Sequence, residues 1–136
     1  MKLVTLALLL SLLAMSPAAG AEGVTQTFAA PMDRVWSVTE GVLKQNGWGI
    51  EQSDRAGGWL TTESRGLDGE DYGVYAKGTR QKLKINMKPA GNRTSVTVER
   101  TVFKRERILW IDKDEPIEVM DQSVEKNILA AIAKSL

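Results

Sequence analysis

The chain carries no histidine and no cysteine. The commonest general base, the thiol nucleophile and the main transition-metal ligands are therefore missing. Its serines have no partner of the kind that activates a hydroxyl. The carboxylates are densest at Asp68, Glu70 and Asp71, inside the polar, glycine-rich stretch Gly66–Gly73. Two carboxylates can drive hydrolysis, but this spacing matches neither an acid–base pair nor a calcium loop. A solvated loop accounts for it. Gly57, Gly58 and the glycines of the 66–73 stretch lack the GxxxxGK order of a phosphate cradle and read as turn residues. The expectation is a protein that is not an enzyme and holds no metal and no cofactor.

Binding chemistry is better represented. Trp36, Trp48, Trp59 and Trp110 are four tryptophans in a chain of 136 residues. Large aromatics are mostly core, yet one or two could line a groove beside the last helix, with Trp48 and Trp59 placed for it. Trp110 is the tryptophan expected at the surface. It sits between the cationic Lys104-Arg105-Glu106-Arg107 cluster and the acidic Asp112-Lys113-Asp114-Glu115 run. Lys82, Lys84 and Lys88 alternate with Leu83, Ile85 and Met87, which gives one wet and one dry strand face. Ten cations fall between Lys77 and Arg107, against Glu99 and Glu106 alone. Either neighbouring elements neutralise this charge, or a basic sheet face meets an anionic partner.

The elements that must position these residues follow from periodicity. Val24–Phe28 reads as a strand. Pro31 suits the first position of a helix in which Val35, Val38 and Val42 recur at helical spacing, with Trp36 and Leu43 beside them. Asp33 complements its dipole, and Asn46-Gly47 ends it with a left-handed cap. Trp48–Ser53 and Trp59–Ser64 flank a turn at Asp54–Gly58. Strand 82–88 pairs through Pro89–Asn92 with a strand whose dry face holds Val96, Val98 and Val102, broken by Arg100. Asp114-Glu115-Pro116 then reads as the start of a C-terminal helix with Ile117, Met120, Val124, Ile128 and Ala131 on one stripe. The expected fold is α+β: an antiparallel sheet of about four to five strands, packed by a long C-terminal helix and a shorter N-terminal one, in the order β-α-β-β-β-β-α.

The first residues carry an address. Lys2, an apolar run from Leu3 to Met15, Pro17 and Ala19-Gly20-Ala21 make a secretory signal peptide, with cleavage after Ala21. That run is shorter than the roughly 20 residues of a membrane span. Residues 1–21 are then the signal and 22–136 a single domain, periplasmic or secreted, with no transmembrane segment. Without cysteine there is neither disulfide nor lipid acceptor. The whole chain has a net charge of +1, and Lys2 is the only charge lost with the signal. A neutral mature domain has no global attraction for nucleic acid or anionic lipid.

Phe28-Ala29-Ala30-Pro31, Val35-Trp36, Val42-Leu43, Asn46-Gly47-Trp48 and the stretch from Asp54 through Ala56-Gly57-Gly58-Trp59-Leu60-Thr61-Thr62 to Glu63 together resemble the BamC (NlpB) group. These are accessory lipoproteins of the outer-membrane β-barrel assembly machinery, built from helix-grip domains. The resemblance spans about a quarter of the chain and rests on structural rather than catalytic motifs. It implies a helix-grip domain that binds an envelope protein partner. The chain departs from the group in lacking the lipidated cysteine, which implies a free periplasmic member. The expected function is a non-catalytic binding or assembly module, with Trp48, Trp59, Trp110, Lys82, Lys84 and Lys88 as contact residues. The alternative is a carrier of a small apolar ligand, held between the sheet and the C-terminal helix.

Overall fold

The computed structural model describes residues 23–67 and 78–136. The signal reading over 1–21 and the carboxylates Asp68, Glu70 and Asp71 lie outside them. In chain order the elements are β1 (Val24–Phe28), α1 (Met32–Gln45), β2 (Ile50–Asp54), β3 (Trp59–Thr62), β4 (Arg65–Gly66), β5 (Gly78–Ala90), β6 (Arg93–Ile108), β7 (Ile111–Ile117) and α2 (Ser123–Ser135). The strands form one antiparallel sheet in the order β1-β6-β5-β3-β2. The short β4 pairs with the start of β5, and β7 pairs with the last part of β6. The class is α+β, with seven strands among the described residues where four to five were expected.

Hydrophobic alternation places the core. Leu83, Ile85 and Met87 of β5 and Val96 and Val98 of β6 are buried on the face that carries both helices. They meet Val35, Trp36, Val42 and Leu43 of α1 and Ile128, Leu129 and Ile132 of α2. Each such side chain stabilises the fold by roughly 1.5–3 kcal/mol relative to exposure. Arg100, the break in the valine stripe, is held among these apolar neighbours. Its Nε donates to Glu125 Oε1 on α2 at 2.9 Å, and its terminal nitrogens donate to Gln81 Oε1 at 3.1 Å and the Asp121 carbonyl at 2.7 Å.

α1 ends as its sequence predicts. Gly47 has φ +80°, its N–H donates to the Lys44 carbonyl, and the Trp48 N–H reaches back to Leu43 O at 2.8 Å. This double closure satisfies carbonyls that the helix leaves open. Trp48 is thereby turned into the core, 2% exposed. At the other end Pro31 is the cap rather than the first helical residue, one position from the expectation.

The C-terminal third corrects the sequence reading. Asp114-Glu115-Pro116 does not open a helix but belongs to β7, and α2 begins only at Ser123. At 13 residues α2 is no longer than α1, which has 14. Ile117 and Met120, assigned to the buried stripe, precede the helix and are exposed, whereas Ile128 is buried. Cross-strand charge favours the pairing of β7 with β6, with Arg105 bridged to Asp114. The β6–β7 register sets Lys104 opposite Glu115, Arg105 opposite Asp114 and Glu106 opposite Lys113, and opposite charges facing each other stabilise a pair of strands. Pro116 is tolerated because β7 is an edge, where a missing N–H costs no ladder bond.

Candidate functional site

The face of the sheet away from the helices carries polar side chains in columns. From β5 it presents Lys82, Lys84, Asn86 and Lys88; across from them in register stand Thr101, Glu99, Thr97 and Ser95 of β6. On the next strand Thr25 shares a hydrogen bond with Thr97, 2.8 Å between hydroxyls. On the β3 side, Trp59 pairs with Asn86 and Thr61 with Lys84. The alternation read from the sequence thus becomes a continuous surface, with Lys84 and Lys88 exposed and Lys82 and Trp59 half-buried.

One end of this face is hollow. A cavity of about 310 Å³ is bounded by Glu51 and Ser64 on one side and by Asp114 and Pro116 on the other, with Lys82, Thr101, Phe103 and Arg105 between them. Arg105 is fixed by two bonds to the Asp114 carboxylate, at 2.8 and 3.1 Å, and its guanidinium stands 5.3 Å from the Phe103 ring centre. Arg80 is buried beside it, donating to Ser64 Oγ at 2.9 Å and to the Ser64 carbonyl at 2.8 Å. The hydrogen bond from Arg105, helped by the charges of Arg105, Lys82 and Arg80, holds the Asp114 carboxyl below its ordinary range. The cavity therefore sets two cations, Lys82 and Arg105, against two carboxylates, Glu51 and Asp114, beside the Phe103 ring.

A second surface stands apart. β5 starts at Gly78, opposite Arg105, so among the described residues the last rungs of β6 pair with β7 alone. The hairpin runs on past the described part of β5 and closes with Ile108 opposite Ile111. At its tip Leu109, Trp110 and Ile111 are 82%, 81% and 71% exposed. Leu109 has φ +59°, a conformation that a branched L residue adopts at a cost. Behind the tip the charges neutralise one another: Lys104 lies 3.3 Å from Glu106, and Lys113 lies 3.4 Å from Glu115. For this stretch the neutralising reading of the basic cluster holds.

The six residues singled out from the sequence fall in three places. Lys82, Lys84, Lys88 and Trp59 share the open face. Trp110 is exposed, as expected, but at the far hairpin tip. Trp48 faces the core, with the Arg65 guanidinium 3.7 Å above its ring and Arg65 Nη1 donating to the Asn46 carbonyl at 2.8 Å. Burial there lowers the Arg65 pKa below its ordinary value. Sequence reasoning missed Phe103, Arg105, Asp114 and Pro116, because reading 114–116 as a helix start hid the hairpin that joins them. The run Ile108-Leu109-Trp110-Ile111 between two charged stretches was the available signal.

Among the described residues no group of acidic side chains is arranged to hold a metal ion, and no helix is long and apolar enough to cross a membrane. The fold and these surfaces define an α+β domain in which, among the described residues, one sheet face stays uncovered and an apolar hairpin tip is exposed. The chain matches no protein-family model and no curated protein.

Proposed function

We propose that the chain is a non-catalytic binding or assembly module of the cell envelope, exported to the periplasm and contacting a partner protein through the open face of its sheet. The observation that carries this reading is that both helices pack on one face. The other face keeps Trp59, Lys84, Lys88 and the Lys82–Arg105 cavity accessible. A sheet face of mixed lysine, threonine and aromatic character suits a partner surface of moderate polarity with acidic side chains. The BamC-like phrasing of residues 28–63 and the helix-grip expectation point the same way, toward outer-membrane assembly. The carrier reading needs room between the sheet and α2. The side chains that meet there, Leu83, Ile85, Val98, Leu129 and Ile132, are at most 2% exposed, and the described cavity opens on the opposite face.

Site-specific photo-cross-linking in the producing cells tests the proposal. A cross-linker at Lys84 or Lys88 captures a defined envelope protein, while one at exposed Asn127 on α2 does not. Lys82→Glu combined with Lys84→Glu and Lys88→Glu abolishes the adduct made from Thr61. Equal capture from Asn127, or none from the open face, rejects the reading. Sequencing the mature N-terminus checks the export step, with Glu22 as the expected first residue.

A further inference from the structure

The hairpin tip calls for its own explanation, because it costs the fold something and returns no packing. Leu109 occupies a left-handed backbone conformation that glycine would adopt freely. Its side chain, with those of Trp110 and Ile111, points away from the core. An aliphatic residue held in strained backbone at an exposed turn indicates that the side chain is used there.

The shape and charge of the hairpin narrow the choice of what covers it. The apolar residues form a point rather than a groove or a flat patch, so the occupant must be concave or must deform. Only a short length is apolar: the register sets Arg107 opposite Asp112 one rung behind Ile108 and Ile111, about 7 Å back from Leu109 along the strand. That depth matches the interfacial layer of a bilayer, roughly 5–10 Å, and falls far short of a span. The turn backbone at Leu109 and Trp110 has no strand partner, which is acceptable among hydrated headgroups and not in hydrocarbon. Trp110 is the side chain that interfaces favour most. From Lys104 to Glu115 the hairpin carries four cations and four anions, interleaved on adjacent rungs. Such a collar complements headgroups that bear both signs and gives no preference for anionic lipid.

We infer that the β6–β7 hairpin is a membrane-docking element: Leu109, Trp110 and Ile111 insert into the interface of a zwitterionic phospholipid surface, and the charged rungs behind them stop the insertion at headgroup depth. The apolar tip lies beyond the residues that line the open sheet face, so a domain lying on a membrane by that tip keeps Trp59, Lys84 and Lys88 free for a partner.

The test uses the mature chain and phosphatidylcholine vesicles, with acyl chains brominated in one arm. The intact protein co-sediments with them, and brominated chains quench its accessible tryptophan fluorescence; Trp36 and Trp48 are buried and contribute little. Partitioning is unchanged within about twofold between low and high salt, since the hairpin is neutral. Leu109→Gly separates folding from binding: it relieves the backbone, so the melting temperature stays the same or rises, while partitioning falls at least about threefold. Trp110→Ser lowers it about tenfold, equivalent to about 1.4 kcal/mol. Ile117→Ser with Met120→Ser, at and just beyond the other end of β7, leaves it unchanged. Absence of binding to phosphatidylcholine overturns the inference, as does binding that Leu109→Gly and Trp110→Ser do not weaken. Binding that requires anionic lipid and collapses in salt also overturns it and assigns the contact to the lysine face. If the tip variants instead abolish capture of a protein without affecting vesicles, the tip is a protein-docking element and the membrane inference fails.

Discussion

Glu125→Ala is the perturbation that most directly tests how the sheet and α2 are joined. The Arg100 and Glu125 side chains are 5% and 6% exposed and 2.9 Å apart. Removing the carboxylate leaves a buried guanidinium with two neutral acceptors, Gln81 Oε1 and the Asp121 carbonyl. Breaking one side of a buried pair costs about 3–5 kcal/mol. The two remaining acceptors offset about 1 kcal/mol of that, while the lost carboxylate in the first turn of α2 adds about 0.5 kcal/mol. The expected loss is about 3 kcal/mol, which lowers the melting temperature by roughly 12 °C in a domain of this size. Urea titration followed by tryptophan fluorescence measures it, with an unchanged slope as the sign that the native and unfolded states are otherwise the same. Arg100→Met combined with Glu125→Leu removes both charges and lies within about 1 kcal/mol of the native protein. A single variant that loses less than about 1 kcal/mol, or a double variant as unstable as the single, refutes the reasoning. The pair would then behave as a solvated surface contact.

Gly58→Ala is costly for two separable reasons. Gly58 has φ +74°, and an added Cβ would lie 2.5 Å from the Met87 carbonyl oxygen; a loss of about 2 kcal/mol or more is expected by urea titration. Arg65→Ala strips the cation from the Trp48 ring and a donor from the α1 terminus, lowering stability by about 1–2 kcal/mol and changing Trp48 emission, with Arg65→Lys recovering only part of it. Asp114→Asn probes pH. Because the folded-state pKa of Asp114 is depressed, its contribution is present above the unfolded value near 3.8 and is lost as pH falls through the folded value. With the side chain 43% exposed the effect is well under about 1 kcal/mol. The gap between native and variant melting temperatures should therefore close as the pH falls below about 4.

Local pattern accounted for the parts of the fold whose partners lie nearby in sequence. α1, its glycine cap and the alternation of 82–88 follow from periods of 3.6 and 2 and from the freedom of Gly47. The wet face of Lys82, Lys84 and Lys88 was legible for the same reason. Segment 111–117 was not. Asp114-Glu115-Pro116 carries a good helix-start signal, but the segment pairs with β6, where Arg105 meets Asp114 across the strands; propensity gave way to cross-strand pairing. The split among the tryptophans was equally hidden. Trp48 and Trp59 lie eleven positions apart on adjacent segments, yet the cap at Gly47 turns one inward and the β3 register turns the other outward.

By itself the sequence determined that imidazole and thiol side chains are absent, where α1 ends, and which side of β5 is wet, because each depends on residue type or on spacing within a single element. Tertiary structure decided that Arg100 is satisfied by Glu125, that Arg105, Asp114 and Phe103 share a cavity, and that Leu109 and Trp110 stand at the tip of the β6–β7 hairpin. These facts depend on register and on which elements pack together. Both are set by contacts between residues distant along the chain, which no local pattern encodes.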